Sequence, residues 1–387
     1  MKFFIFSFFS YKNIKIGGHV AHFEFIMKQN LQEIHVTQPT SDGWKLQLFH
    51  YPANSNKKIN IPVVLCHGLA ANKNSCDFGE VGSDVWKKYS LAAYLSQGMH
   101  PNNVSFDVWV VELRGRGKNP TFSPKDHPDK YVWCFDDYVE KDVPTILKYI
   151  DNYYQKPQKV LWVGKSMGGM ISYAYGQKEE SYSHLKGVVT LGSPVIFEYK
   201  NPLLELISRL APRKMSIPIN ISQILQRIPE ISDSFKKIGA TSGNIEEDIF
   251  NFYLKHGMDS MISSKVLSHF SVFFRHNTFC SYPKYPWLFD LFGYGHLKRL
   301  FTHYDYKQNL NLFKHPLLAI AGDADKEAPP EEVNAAVGRV GGSDKTYHHF
   351  SKKNGYKADY GHLDLNLGKY AKEEVYPVIA EWLYQHK

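Results

Sequence analysis

Short unbroken runs of apolar residues alternate along this chain with segments of helical spacing. The apolar runs predict strands buried on both faces, at 61–68, 106–117, 159–164, 185–195 and 315–322. Segments with apolar residues every three or four positions predict helices, at 88–98, 135–154, 167–177, 330–340 and 373–385. Strands that alternate with helices predict an α/β fold, with a mostly parallel central sheet and helices on both of its faces.

Two segments depart from this alternation. Residues 33–51 alternate apolar and polar positions around Asp42-Gly43, which predicts an antiparallel hairpin. Residues 200–306 hold apolar clusters at helical spacing but no buried-strand run, so we expect a helical cap, or lid, over the carboxyl edge of the sheet. The predicted organisation is an N-terminal extension over 1–28, the core over 29–199 and 307–387, and the cap over 200–306.

The N-terminus carries an apolar stretch that fits a secretion signal poorly. One lysine precedes a few mostly apolar residues, and no clean small-residue cleavage site follows. Organised patterning begins near Met27, which favours a start at Met27 or an unstructured extension. No apolar run of about 18 residues occurs, so we expect no transmembrane helix. The expected location is the cytoplasm, with secretion kept open by the apolar N-terminus.

Charge and cysteine spacing argue against several classes of protein. The 46 basic and 38 acidic residues leave a net charge of +8, but the basic residues are scattered, so nucleic acid is not an expected partner. The four cysteines form no CxxC pair, which argues against a zinc site and a thioredoxin-like motif. We expect no cofactor, no metal and no obligate protein partner.

Candidate chemistry begins at VGKSMGG, residues 163–169, which places Ser166 in a Gly-x-Ser-x-Gly motif. The motif follows a predicted buried strand and opens a predicted helix, the context required of a nucleophile elbow. Gly164 and Gly168 let the strand and the helix approach closely at a sharp turn, and the helix N-terminus favours developing negative charge. We interpret Ser166 as a nucleophile. A glycine-rich turn without chemistry is the alternative.

With this motif in view, the sequence resembles the α/β-hydrolase family from about residue 30 to the C-terminus, most weakly in the insertion. GKSMGG, CHGLA, ELRGRG, GDAD and YGHLDL occur in the family's order. Within the family the chain is most similar to esterases and lipases of the acid-lipase type. Those lipases usually carry His and Gln around the serine, where this chain has Lys165 and Met167.

The resemblance implies a triad in the chain order serine, acid, histidine. Asp323 and Asp325 both follow the predicted strand 315–322, and the family's Gly-x-x-Asp pattern maps onto Asp325. A further strand is predicted at 345–350, and His362 lies in the loop between this last strand and the terminal helix, where the base of the family belongs. Asp364, close behind it, is interpreted as a loop or helix cap.

Acyl transfer also needs hydrogen-bond donors for the oxyanion. One expected donor is the backbone N–H of Met167, the residue after the nucleophile, and the resemblance assigns the other to Leu69 in the HGLA loop. His67, in the same loop, is interpreted as a residue that shapes the turn.

Together these residues predict a carboxylic ester hydrolase, a lipase or esterase that forms an acyl-enzyme. Seven aromatic residues of the insertion are expected to lie over the site and favour an apolar ester, a small molecule, as substrate; they are Phe270, Phe273, Phe274, Phe279, Trp287, Phe289 and Phe292. Transient contact of the lid with a lipid surface is a separate expectation. These aromatic residues could instead form the core of the insertion. An acyltransferase or thioesterase with the same triad is the alternative function. A non-catalytic ligand-binding protein on a hydrolase scaffold is a more remote one.

Overall fold

An eight-stranded sheet organises the computed structural model, which describes residues 31–117, 120–199, 216–292 and 295–387. The strands, including two that form a separate small sheet, are β1 (Glu33–Val36), β2 (Gln47–Tyr51), β3 (Lys57–Cys66), β4 (Val104–Glu112), β5 (Val160–Lys165), β6 (Leu185–Leu191), β7 (Pro218–Asn220), β8 (Met261–Ser263), β9 (Leu317–Gly322) and β10 (Lys345–Phe350). The main sheet has the order β1-β2-β4-β3-β5-β6-β9-β10.

Pairing within the main sheet follows the sequence pattern. The pair β1–β2 is antiparallel, as the alternation over 33–51 predicts, and the pair β2–β4 is antiparallel as well. All the other neighbours, from β4 across to β10, are parallel. The predicted α/β fold with a mostly parallel sheet is therefore confirmed.

Helices cover both faces of this sheet. Val143–Tyr154, Met167–Tyr175 and Pro330–Arg339 pack on one face, and Asp84–Tyr89, Leu91–Ser96 and Ala371–Gln385 on the other. Successive residues of β3 alternate between the two resulting cores: Val64 and Cys66 belong to one, Val63 and Leu65 to the other. Because both faces are buried, the central strands appear in the sequence as continuous apolar runs.

Several elements end where local chemistry interrupts the pattern. The predicted helix 88–98 is two helices, because Ser90 has an extended backbone and its hydroxyl accepts a hydrogen bond from the N–H of Ala93, which starts a new helix. The predicted helix 135–154 contains a π-helical turn at Tyr138–Asp142. The strand predicted over 185–195 ends at Leu191 because Gly192 takes a left-handed φ of 55°.

The described part of the predicted cap is mostly helical. Its helices are Ile221–Arg227, Pro229–Gly239, Glu247–Phe252, Ser264–His276 and Pro286–Phe292, with a π-helical turn at Tyr253–Gly257 and a 3-10 helix at Gly295–Leu300. The described part of the cap also holds a short antiparallel sheet of β7 and β8, which the sequence did not predict. Each has only three residues, too few to form a recognisable apolar run. Residues 200–215 and 293–294 of the predicted cap and the predicted extension over 1–28 lie outside the described residues.

A third apolar cluster joins the cap to the core. Cap residues such as Phe235 and Leu267 pack with Ala70, which follows β3, and with Leu363, which precedes the C-terminal helices. The cap therefore lies over the carboxyl ends of the parallel strands, where ligands bind in open α/β sheets. In the part of the chain that the structure describes, no helix combines the length and the apolar character needed to cross a membrane.

Candidate active site

Ser166 lies at a strained turn between β5 and the helix Met167–Tyr175. Its φ of 53° and ψ of −119° fall in a region that residues with a side chain rarely adopt. The N–H of Ser166 donates to the carbonyl of Leu191 on the neighbouring strand at 2.8 Å, which helps to hold this conformation. The hydroxyl makes no hydrogen bond to another described residue and faces the cavity described below.

Glycines let three segments meet at this turn. A Cβ on Gly164 would overlap the backbone of Gly168, and a Cβ on Gly168 would overlap the carbonyl of Cys66. A Cβ on Gly68 would lie 3.1 Å from the Cβ of Ser166. The segment has the geometry of a nucleophile elbow, with the loop after β3 packed directly against it.

His362 and Asp325 form a buried pair. The Nδ1 atom of His362 donates to Oδ2 of Asp325 at 2.7 Å. The other carboxylate oxygen, Oδ1, accepts the backbone N–H groups of Glu327 and Ala328 at 2.9 and 2.8 Å. With Nδ1 held in this way, Nε2 is the nitrogen left to take up and release a proton. Ser166 and His362 line the same cavity.

Asp323, the competing acid, points away from this pair. Its carboxylate is about half exposed and lies 3.0 Å from Nε2 of His349. The structure thus brings Asp325, not Asp323, to His362, in agreement with the pattern that the resemblance implied.

Gly192 packs against the same pair, and sequence reasoning missed its importance. A Cβ at this position would lie 2.9 Å from Oδ2 of Asp325 and 3.0 Å from Nδ1 of His362. Its left-handed φ also favours glycine. Nothing in the local sequence indicates this contact, because its partners lie more than a hundred residues further along the chain.

The two predicted oxyanion donors belong to residues next to Gly68 and next to Ser166 in the chain. Leu69 follows Gly68, which touches Ser166, and Met167 is the first residue of the helix that follows the serine. Neither backbone N–H donates to another described residue. Both groups are therefore without a partner beside the serine.

His67 shapes the loop, as the sequence predicts. Its Nδ1 lies 3.0 Å from the carbonyl oxygen of Gly68, and its Nε2 accepts the N–H of Leu113 at 3.2 Å. Burial, followed by the charge of Arg116, lowers the pKa of His67 to about 3. A neutral ring thus links the loop after β3 to the turn after β4.

Two buried groups hold the loop that carries His362. The ammonium group of Lys165 donates to the carbonyl oxygen of His362 at 2.6 Å, and burial lowers the pKa of this lysine. Asp364 accepts the N–H groups of Gly361 and Thr241, each at 2.9 Å. Because Thr241 belongs to the cap, Asp364 connects the cap to the loop that carries His362. Asp364 also accepts a hydrogen bond from within that loop.

A largely apolar cavity of about 1110 Å³, including its open mouth, lies above Ser166. The cap supplies nine of the residues that line it: Ile221, Leu225, Phe235, Ile238, Tyr253, Met258, Leu267, Phe270 and Phe274. A second carboxyl group also reaches the cavity, since Oε2 of Glu327 lies 3.8 Å from Nε2 of His362. Sequence reasoning gave Glu327 no role.

The prediction that seven cap aromatics lie over the site is wrong for five of them. Phe270 and Phe274 line the cavity, whereas Phe273 and Phe279 are buried against Phe135 in the main core. The others are Phe289, in a small separate cluster, and the exposed Trp287 and Phe292. Contact between the cap and a lipid surface stays a prediction.

Potential metal ligands cluster away from this cavity. Among the described residues, two groups bring three such side chains together: Glu33, His35 and His50, and Cys134, Asp136 and His269. None of these six residues lines the cavity.

Comparisons with known proteins agree with the geometry. A family model described as alpha/beta hydrolase fold matches residues 61–214, which include the elbow and the loop after β3. Triacylglycerol lipase 1 of Arabidopsis thaliana is 24% identical over 365 residues, covering 87% of this chain and 83% of that protein. The chain has the α/β-hydrolase fold.

Solved structures share the fold of this chain at low sequence identity. A soluble variant of monoglyceride lipase from Saccharomyces cerevisiae is 16% identical with a TM-score of 0.58, over 95% of this chain and 99% of that one. An esterase from Thermogutta terrifontis is 17% identical with a TM-score of 0.55, over 92% and 99%. These comparisons support the prediction of a carboxylic ester hydrolase of the lipase and esterase type.

Proposed function

We propose that this protein cleaves esters of apolar acyl chains through an acyl-enzyme, with Ser166 as nucleophile, His362 as base and Asp325 as the acid that orients it. The observation that carries the proposal is the buried hydrogen bond between His362 and Asp325 beside a cavity that also opens onto the strained Ser166. A serine is a weak nucleophile unless such a base accepts its proton.

Acylation begins when Oγ of Ser166 attacks the ester carbonyl carbon and Nε2 of His362 takes the hydroxyl proton. The carbonyl oxygen becomes an oxyanion, which accepts hydrogen bonds from the N–H groups of Leu69 and Met167. When the tetrahedral intermediate collapses, the bond to the alcohol oxygen breaks and His362 donates its proton to that oxygen. The alcohol leaves, and the acyl group stays bonded to Ser166.

Deacylation repeats these steps with water. Nε2 of His362 takes a proton from the water as its oxygen attacks the acyl carbon, and the same N–H groups stabilise the second oxyanion. Collapse releases the carboxylic acid and returns the proton to Ser166. Asp325 stays ionised throughout and holds the imidazole in one tautomer.

The cavity supports an apolar acyl chain. The side chains that the cap turns towards Ser166 are mainly aliphatic and aromatic, among them Leu225, Phe270 and Phe274. Each methylene group moved from water into such surroundings contributes about 0.8 kcal/mol. A medium-length or long acyl chain therefore binds better there than an acetyl group.

A fluorophosphonate probe tests the nucleophile. The wild-type protein should be labelled on the peptide that contains Ser166, and Ser166→Ala should abolish the label. His362→Ala should slow labelling strongly, because the serine then lacks its base. Ser172→Ala is the matched control, since the hydroxyl of Ser172 is buried and donates to the carbonyl of Gly169. Undiminished labelling of Ser166→Ala would contradict the proposal.

A further inference from the structure

Glu327 places a carboxyl group in the cavity beside the reactive histidine. Its Oε2 atom lies 3.8 Å from Nε2 of His362, and the residue lines the cavity together with Ser166. Its Oε1 atom is buried and has no hydrogen-bond partner among the described residues. Burial raises the pKa of this carboxyl. A buried carboxyl oxygen without a hydrogen bond is costly, and a ligand in the cavity can supply the missing hydrogen bond.

The position of Glu327 is set from two sides. Its backbone N–H donates to Oδ1 of Asp325 at 2.9 Å, so the turn that presents the acid also presents Glu327. A Cβ on Gly239, the last residue of the cap helix Pro229–Gly239, would lie 3.0 Å from Oε1 of Glu327. The carboxyl group is thus packed between the turn and the cap, with Oε2 on the side of His362.

The contact with Nε2 identifies the part of the substrate that Glu327 faces. In the proposed mechanism, Nε2 donates its proton to the departing alcohol oxygen. A group 3.8 Å from Nε2 is therefore next to the alcohol part of the ester. The acyl chain, on the other side of the ester, packs against the apolar side chains of the cap.

Lys165 and Tyr253 are polar residues that line the same cavity as Glu327. The ammonium group of Lys165 is engaged by the carbonyl oxygen of His362. Burial, followed by the charge of Glu327, raises the pKa of the Tyr253 hydroxyl. Glu327 and Tyr253 can together surround a small polar group of the substrate.

We infer that Glu327 binds a free hydroxyl group on the alcohol part of the ester, and that the substrates are partial esters of polyols, such as mono- or diacylglycerols. A hydroxyl group can both donate and accept a hydrogen bond, so it can satisfy the carboxyl group. An ester of a simple alcohol would leave the carboxyl group without a partner. This inference rests on the proposed ester hydrolysis and names its substrate class.

Two esters of equal size test the inference: 2-hydroxyethyl octanoate and propyl octanoate, which differ by a hydroxyl in place of a methyl group. We expect the wild-type protein to hydrolyse the hydroxyl ester with a kcat/KM at least about ten-fold higher, because a site built for a hydroxyl group rejects the analogue that lacks it. Glu327→Leu should bring the ratio close to one. Glu327→Gln should retain part of it, because an amide still forms hydrogen bonds.

Asp323→Asn is the matched control, since it removes a carboxylate from the same loop outside the cavity and should keep the wild-type ratio. A wild-type ratio near one, or an unchanged ratio in Glu327→Leu, would overturn the inference. An equal loss for both esters would also overturn it, because Glu327 would then act through His362. If Glu327→Leu does not fold, a lowered ratio in Glu327→Gln is the required result. Hydrolysis of both esters by Ser166→Ala would instead refute the proposed function, whatever the ratio.

Discussion

Ser166 has a small side chain, and its hydroxyl group makes no hydrogen bond within the described part of the chain that would hold the strained backbone conformation. Its strained φ is maintained by the hydrogen bond from its N–H to Leu191 and by the close approach of Gly68. Ser166→Ala should therefore fold like the wild type. Its kcat for octanoyl esters should fall by about 10⁶, as for other losses of a triad nucleophile. Rate assays beside circular-dichroism melting measure both effects, and a variant with a tenth of the wild-type rate would show that Ser166 is not the nucleophile.

The two aspartates of the GDAD segment should differ sharply. Asp325→Asn should lower kcat by about 10⁴, because the imidazole loses the partner that selects its tautomer. Asp323→Asn should change kcat little, because its carboxylate pairs with His349 near the surface. Side-by-side kinetics of the two variants decide the question. The reverse ranking would mean that the acid is Asp323.

Residues that belong to a local sequence motif could be identified from the sequence. Residues whose importance comes from contacts with distant parts of the chain could not. Ser166 has its own motif, and Asp325 and His362 follow it in a recognisable order. Glu327 gives no such indication, because its importance comes from its distance to Nε2 of His362. The requirement for glycine at position 192 arises in the same way, from packing against the acid and the base.

At the scale of elements, the helix Ser264–His276 shows what the spacing of apolar residues predicts and what it does not. Helical spacing groups Leu267, Phe270 and Phe274 on one side, and these three residues line the cavity. Phe273, on another side, packs into the main core. Periodicity indicates which residues share a face, but the partner of each face depends on tertiary packing. Both explanations considered for the cap aromatics, acyl binding and core formation, therefore apply to this one helix.

The cavity face of that helix should set the acyl-chain preference. We expect the wild-type kcat/KM to rise at least about ten-fold from an acetyl to an octanoyl ester, because two fully buried methylene groups already suffice for this gain. Phe274→Ala should reduce that ratio several-fold by removing part of the apolar wall. Phe292→Ala is the matched control, because its ring is exposed and does not line the cavity.

Initial rates on acetyl, butanoyl, hexanoyl and octanoyl esters of one alcohol provide the measurement. A kcat/KM that peaks at the acetyl ester would contradict an apolar acyl site. An equal effect of Phe274→Ala and Phe292→Ala would indicate that the cap acts only through stability.

At the scale of the whole molecule, double-sided burial explains why the fold could be predicted. The central strands have both faces covered by helices, so their sequences are continuous apolar runs between segments of helical spacing. The small sheet of β7 and β8 carries no comparable pattern, because its strands are short and belong to a cap whose packing involves the core. The arrangement of the core was therefore predictable, and the internal arrangement of the cap was not.

Burial on this scale also places carboxyl groups where water cannot hydrate them. Glu112 ends β4 and is nearly inaccessible to solvent. Its Oε1 atom accepts the N–H of Lys73 at 3.1 Å, whereas Oε2 has no hydrogen-bond partner among the described residues. Burial raises the pKa of Glu112 from 4.5 to about 7, and burial raises that of Glu332 by a similar amount.

A pKa that is higher in the folded state than in the unfolded state makes stability depend on pH in a defined direction. The contribution of Glu112 is fully present below about pH 4.5 and is lost as the pH rises through about 7. Glu112→Gln removes this dependence, so its free energy of unfolding relative to the wild type should rise between pH 5 and pH 8. The rise should reach at most about 3 kcal/mol, since one pKa unit corresponds to about 1.4 kcal/mol. Denaturant unfolding at both pH values measures it, with the exposed Glu80→Gln as a matched control that shows little change. A difference between Glu112→Gln and the wild type that stays constant from pH 5 to pH 8 would mean that Glu112 is ionised in the folded protein throughout this range.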